Sequence, residues 1–123
     1  MKSTVLIADD EPSLRRLVRA TIASDSYQLV EAENGDAAWE LLRAQRPVLA
    51  ILDVAMPGRS GLDLVRAIRA DPDLTGIRVI LLTAKAQQTD MTAGMAAGAD
   101  YYLAKPFSPL ELLTLVDKVM HGE

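Results

Sequence analysis

Val48-Leu49-Ala50-Ile51-Leu52-Asp53-Val54-Ala55-Met56-Pro57-Gly58 decides the fold of this chain. Five apolar residues, all but Ala50 β-branched or bulky, run straight into an acid, and Pro57-Gly58 then stops regular structure. A short continuous apolar run bounded by turn residues is the pattern of a strand buried on both faces of a sheet. Asp53 therefore stands where a buried strand ends and a loop begins, the edge at which open α/β sheets bind ligands. An acid there is either a cap for the next helix or a reactive carboxylate. Taken alone it favours the cap, because helix starts collect Asp routinely.

On the N-terminal side, Thr4-Val5-Leu6-Ile7-Ala8 reads as a buried strand that ends in Asp9-Asp10-Glu11. Pro12 suits the first turn of a helix. Leu14, Leu17, Val18, Thr21 and Ile22 share one face of that helix, with Arg15, Arg16 and Arg19 on the other. Tyr27 to Ala32 alternates as a more exposed strand. Asn34-Gly35 is a turn, and Asp36 begins a helix carrying Ala38, Leu41 and Leu42. Pro47 separates it from the Asp53 strand.

On the C-terminal side, Ser60-Gly61-Leu62-Asp63 is a capping box opening a helix that stops near Asp71-Pro72. Ile77-Arg78-Val79-Ile80-Leu81-Leu82 is a strand that ends at Thr83. Residues from about Thr89 to Ala97 form an Ala- and Met-rich helix with Gly98 as its stop, and Gly94 makes it the least secure of the helices. Tyr101-Tyr102-Leu103 is a short last strand, followed by Lys105-Pro106-Phe107. Ser108-Pro109-Leu110-Glu111 is a second capping box with Pro at the first helical position. In the helix it opens, Leu112, Leu113, Val116, Val119 and Met120 make the inward arc, widened by Leu110 and Leu115.

The 123 residues are the size of one domain, read as residues 1–123 with no effector domain. Half of the chain is hydrophobic, which excludes disorder. A net charge of −4 with scattered basic residues argues against a nucleic-acid surface. Without cysteine there is no disulfide framework and no thiol chemistry, which fits a reducing cytoplasm. The first apolar run is ended by Asp9 too soon for a signal peptide or a membrane span. The expectation is a cytoplasmic protein bound neither to nucleic acid nor to membrane.

Strand and helix alternate throughout, which calls for an α/β domain with a parallel sheet, helices on both faces and right-handed crossovers. All strand C-termini then lie on one edge. Asp9 and Asp10, Asp53 and Thr83 stand at those ends, with Lys105 just past the last strand. Each alone is easily a cap or a turn, but their coincidence on one edge reverses the reading of Asp53. Three carboxylates close together repel one another strongly in a partly buried site, and one Lys cannot neutralise them. A hard divalent cation can, and carboxylates with a backbone carbonyl suit Mg²⁺. Metal, Lys and a hydroxyl are also the set needed around a transferring phosphoryl group. A carboxylate can itself be the nucleophile, giving an acyl phosphate. Asp53, alone at the end of a central strand, is the best candidate, and the adjacent Asp9 and Asp10 make better metal ligands.

Asp9-Asp10, Asp53-Val-Ala-Met-Pro-Gly-Arg-Ser-Gly61, Leu82-Thr83-Ala84 and Lys105-Pro106-Phe107, in this order and spacing, resemble the response-regulator receiver domain of bacterial two-component signalling over the whole chain. The resemblance implies a doubly wound, flavodoxin-like five-stranded sheet of order 2-1-3-4-5. It implies that Asp53 accepts a phosphoryl group from a sensor histidine kinase or a phosphotransfer protein. Asp9 or Asp10, Asp53 and the carbonyl of Ala55 would hold Mg²⁺, or Mn²⁺ in its place. Thr83 and Lys105 would grip the phosphoryl oxygens, the Lys105–Pro106 peptide would be cis, and Tyr102 would be the aromatic switch that swings inward when Thr83 moves. Such a domain is a signalling phosphoacceptor rather than an enzyme, catalysing only its own phosphorylation and slow autodephosphorylation. The face made by the fourth helix, fifth strand and fifth helix would signal to a downstream effector protein or a missing output domain. Relatives that are transcription factors pair through ionic residues on that face. Glu111 fits that pattern, whereas Met91, Tyr101 and Leu115 stand where charges are expected, so a homodimer here would be held by apolar contact. The resemblance also puts Ala55 and Lys85 beside the path of the hydrolytic water, where they would tune the lifetime of the phosphorylated state.

Three rivals are weighed against this. An Asp-nucleophile phosphatase needs a second acid two residues after the first, and that position is Ala55. A flavodoxin-like cofactor binder needs a Gly- or Ser/Thr-rich phosphate loop after the first strand, where Asp9-Asp10-Glu11 would repel phosphate. The third is a receiver-shaped scaffold that is never phosphorylated and acts by protein contact alone. Outside the constellation, His121 reads as a solvated residue of the last helical turn, Trp39 as half-buried packing, and Met91 and Met95 as core or groove fillers.

Overall fold

A computed structural model of the chain describes residues 3–23, 26–84 and 88–121. Its elements alternate without exception. They are β1 (Ser3–Ala8), α1 (Pro12–Ile22), β2 (Tyr27–Ala32), α2 (Gly35–Gln45), β3 (Leu49–Asp53), α3 (Gly61–Ala70), β4 (Arg78–Ala84), α4 (Gln88–Ala97), β5 (Tyr101–Lys105) and α5 (Pro109–Met120). The strands form one parallel sheet in the order β2-β1-β3-β4-β5, as the resemblance implies.

β3, which pairs with β1 and β4, is buried at every residue from Leu49 to Asp53. Its alternate side chains feed two separate cores, because successive Cβ atoms of a strand point to opposite faces. Ala50 and Leu52 join Leu6, Leu81, Leu42, Leu64 and Ile68 beneath α2 and α3. Leu49 and Ile51 join Val5, Ile7, Val18, Leu112 and Val116 beneath α1 and α5. Truncating a side chain such as Leu52, fully buried, to Ala should cost about 2–5 kcal/mol.

Both predicted capping boxes form. Ser60 Oγ accepts the N–H of Asp63 at 3.1 Å while Asp63 Oδ2 accepts the N–H of Ser60 at 3.2 Å. Ser108 and Glu111 repeat the exchange at 3.1 and 2.9 Å. The second helix begins one residue earlier than predicted, with Asn34 Oδ1 capping the N–H of Ala37 at 2.7 Å. Gly35 is required there, since a Cβ would run into the backbone carbonyl of Arg59. β4 and β5 continue past their predicted ends, to Ala84 and Lys105.

α4 is weakly patterned because it approaches the sheet by backbone rather than by a stripe of side chains. A Cβ on Gly94 would collide with Leu81 Cδ1, so the glycine that weakens the helix is what lets it lie against β4. Arg69, at the end of α3, ties down the far end of α4. Its guanidinium donates to Gly98 O (2.8 Å), Thr75 O (2.8 Å), Ile77 O (2.7 Å) and Asp100 Oδ2 (3.0 Å), and that same Asp100 oxygen accepts the N–H of Val79 at 2.7 Å.

Several side chains depart from the predicted inward arcs. Leu17 is 37% exposed and Leu113 48% exposed. Each follows or precedes a buried neighbour by one residue, and one residue is about 100° of helical rotation. Leu115 packs at the core edge, and Leu110, at 71% exposure, stands in solvent. Met95 is exposed rather than a core filler, and the side chain of Met91 lies outside the described residues. Trp39 packs against the α2–α3 core, with the guanidinium groups of Arg59 and Arg43 at 5.0 and 5.9 Å from its ring. His121 is exposed, 3.4 Å from Asp117 Oδ1.

Candidate functional site

Parallel register brings the predicted residues together at one sheet edge. Asp9 immediately follows β1 and Asp53 ends β3, paired in register with Leu82 of β4. Thr83 is the next residue of β4, and Lys105 closes β5 opposite Ala84. Asp9, Asp53 and Thr83 are the buried polar residues among those described, and all three stand at this edge. Asp10 is exposed at the mouth.

The side chains converge on Lys105. Its Nζ lies 3.0 Å from Asp53 Oδ2, to which it donates, 3.1 Å from Asp9 Oδ2 and 3.7 Å from Glu11 Oε1. Asp53 Oδ1 accepts the N–H of Ala55 at 3.3 Å, and Asp9 Oδ1 accepts the N–H of Glu11 at 2.9 Å. The buried Asp9 Oδ2 meets the Lys105 ammonium, and Thr83 Oγ1, also buried, has no hydrogen-bond partner among the described residues. Buried polar atoms are seldom left so unless a ligand or ion completes them.

Burial pushes the Asp53 carboxyl up from 3.8 to about 6; the Lys105 hydrogen bond opposes this and the charge of Asp9 adds to it. For Lys105 burial acts downward, but the bonds and charges of Asp53 and Asp9 outweigh it and hold the ammonium above its ordinary value. The site therefore carries more negative charge than one cation balances.

Asp9, Asp10 and Asp53 each offer an oxygen, and these oxygens lie within 4.8 Å of one another. An all-carboxylate donor set carrying more negative charge than Lys105 balances fits a hard divalent cation such as Mg²⁺. Beside it opens a cleft of about 830 Å³ whose floor is Asp53 and Lys105 and whose walls include Leu14, Leu17, Ala55 and Phe107. Leu17 is thus exposed because it borders the cleft. The Lys105–Pro106 peptide is cis. Tyr102 is 42% exposed, turned out from the sheet edge, and Lys85 lies outside the described residues.

Sequence reasoning overlooked Arg15. Its Nη1 donates to the carbonyl of Asp9 at 2.6 Å, and its Nε to Glu31 Oε1 at 3.2 Å. Helical period puts it on the outer face, yet only 14% of its side chain is exposed. Period places a Cα; it does not say where a long side chain ends.

Residues 5–117 match the family model of the response regulator receiver domain. The chain is 37% identical over 117 residues to the phosphate regulon transcriptional regulatory protein PhoB of Pseudomonas aeruginosa, covering 95% of this chain and 51% of that protein. It is 39% identical over 117 residues to response regulator GtcR of Aneurinibacillus migulanus, covering 94% and 47%. It thus spans about half the length of the curated relatives it matches. Among solved structures, a putative response regulator from Chloroflexus aurantiacus superposes with a TM-score of 0.91 at 30% identity, covering 98% of this chain and 99% of that one. The chemotaxis response regulator CheY4 of Vibrio cholerae gives 0.88 at 30% identity, covering 97% and 99%.

Proposed function

This chain belongs to the response regulator receiver domain family, and on that premise we propose that Asp53 is its phosphoacceptor, with residues 1–123 forming one receiver domain. The observation that carries the reading is the position of Asp53. It is the one acid of the three that both ends a central strand and takes a hydrogen bond from Lys105, while opening on the cleft. An oxygen of Asp53 attacks the phosphorus of a phosphohistidine, the P–N bond breaks as the P–O bond forms, and the electron pair leaves with the imidazole. The donor is a sensor histidine kinase or a phosphotransfer protein. Its approach is supported by the apolar wall of Leu14, Leu17 and Phe107 beside the carboxylate.

Asp9, Asp10, Asp53 and the Ala55 carbonyl would hold Mg²⁺, or Mn²⁺, which when bound supplies charge neutralisation at the transferring group. Lys105 supplies a fixed positive charge to the phosphoryl oxygens. Thr83 Oγ1, buried and unpaired among the described residues, would donate to one of them. Capturing that hydroxyl draws on β4 and favours inward rotation of the outward Tyr102, which carries the signal to the α4-β5-α5 face. From there it passes to an effector protein, to an output domain, or to a second copy through the exposed Leu110. The chemistry is confined to the domain's own carboxylate, so it acts as a signalling phosphoacceptor rather than an enzyme with a separate substrate. Among the described residues no helix is long and apolar enough to cross a membrane, and a cytoplasmic location fits the family.

Incubation with acetyl phosphate tests this reading. Labelling should require Mg²⁺ and disappear in Asp53→Asn. Stoichiometric labelling of that variant would overturn the assignment.

A further inference from the structure

Besides the Lys105 ammonium 3.1 Å from its Oδ2, Asp9 is held from three sides. Its N–H donates to the Ala32 carbonyl at 3.1 Å, its Oδ1 takes the N–H of Glu11 at 2.9 Å, and its carbonyl takes the guanidinium of Arg15 at 2.6 Å. Only the last of these comes from a long side chain, and Arg15 is aimed in turn. Glu31 Oε1 accepts its Nε at 3.2 Å, while Glu31 Oε2 accepts Arg19 Nε at 2.6 Å. The hydrogen bond from Arg19, ahead of that from Arg15, holds Glu31 below the ordinary carboxylate range, so this brace stays ionised.

The carbonyl of Asp9 and the N–H of Asp10 belong to one planar peptide unit. Fixing the oxygen of that plane fixes the direction in which the chain leaves Asp9 and enters Asp10. We propose that Arg15 is a positioning residue for the acidic site: by clamping the Asp9–Asp10 peptide plane it presets both carboxylates for a hard divalent cation. A charge-assisted bond of a guanidinium to a carbonyl is strong enough for that task. Partners that orient a ligand from behind typically change metal affinity by about 10–100-fold when removed. Arg16, exposed on the same helix and outside the Glu31 brace, is the control.

The inference rests on the reading of Asp9, Asp10 and Asp53 as a Mg²⁺ site, and calorimetric titration with Mg²⁺ separates the two. The wild type should bind, Arg16→Ala should bind within about twofold of it, and Arg15→Ala should bind about 10–100-fold more weakly. Arg15→Lys, which can reach the carbonyl but cannot fork to Glu31 as well, should fall between them. Each variant's melting temperature is measured in EDTA alongside, since a merely structural role moves that value and leaves the Mg²⁺ constant where it was. If Arg15→Ala fails to fold, Arg15→Lys decides. Wild-type affinity in the decisive Arg15 variant overturns the positioning role and leaves the metal site standing, whereas a wild type that binds no Mg²⁺ overturns both.

Discussion

Replacing Asp53 by Asn should make the metal-free protein more stable, and by an amount that depends on pH. The carboxyl ionises near 6 in the fold against 3.8 ordinarily, chiefly because burial penalises its charge. A folded-state value raised above the unfolded one means that the native state binds the proton more tightly. Stability is then fully present below the ordinary value and is lost as pH rises through about 6. At about 1.4 kcal/mol per pH unit the full loss is about 3 kcal/mol, which water entering the cleft reduces to about 1–2 kcal/mol. Asn carries no charge and escapes this cost. With an unfolding entropy of about 2.1 cal/mol/K per residue, a chain of this length gains about 4 °C per kcal/mol. Calorimetric melting in EDTA across pH 4 to 8 should therefore show the two proteins nearly together at pH 4 and the variant about 4–8 °C higher above pH 7. Adding Mg²⁺ should close much of that gap by stabilising the wild type through mass action. A gap that is the same at every pH would mean that Asn merely packs better, and a variant less stable at pH 7.5 would refute the charge argument outright.

Two other perturbations have definite directions. Gly94→Ala gains about 1 kcal/mol of helix propensity, but its methyl meets fully buried Leu81, and overpacking costs about 1–3 kcal/mol, so urea unfolding should find the variant less stable or unchanged. Ala55 borders the cleft with no group able to orient a water, and Lys85 can donate but not accept a proton, so the phosphorylated wild type should decay slowly. Ala55→Asn combined with Lys85→Glu should shorten its lifetime by up to about 10²-fold, followed as loss of label after the donor is removed; equal decay of the two proteins refutes the idea.

The acidic site could be read from the chain because a continuous apolar run stops where a buried strand ends, and Asp9, Asp53 and Thr83 each stand where such a run stops. Parallel alternation then places every such end on one edge, so the convergence on Lys105 needs no knowledge of distances. Contacts made by the tips of long side chains were not readable in this way. Arg15 lies on a polar helical face by its spacing and still reaches back to the Asp9 carbonyl. Leu17 and Leu113 fit an apolar stripe equally well whether they point at the core or at a cleft beside it, because hydrophobicity does not distinguish those surroundings. Gly94 reads as a defect of its helix until the closeness of Leu81 is known.

The fourfold grip of Arg69 has a mechanical consequence. It fastens the Gly98 end of α4 to the α3–β4 connection and the start of β5, while the other end of that helix follows the strand that carries Thr83. A rod of ten residues, about 15 Å long, held in this way at its Gly98 end would act as a lever on any movement of its first turn. A displacement of β4 would then become rotation about the anchor, larger at the first turn of the helix than toward Ala97. Probes attached near the anchor would stay silent while the opposite end sweeps, and loosening Arg69 would exchange rotation for sliding and blur the message.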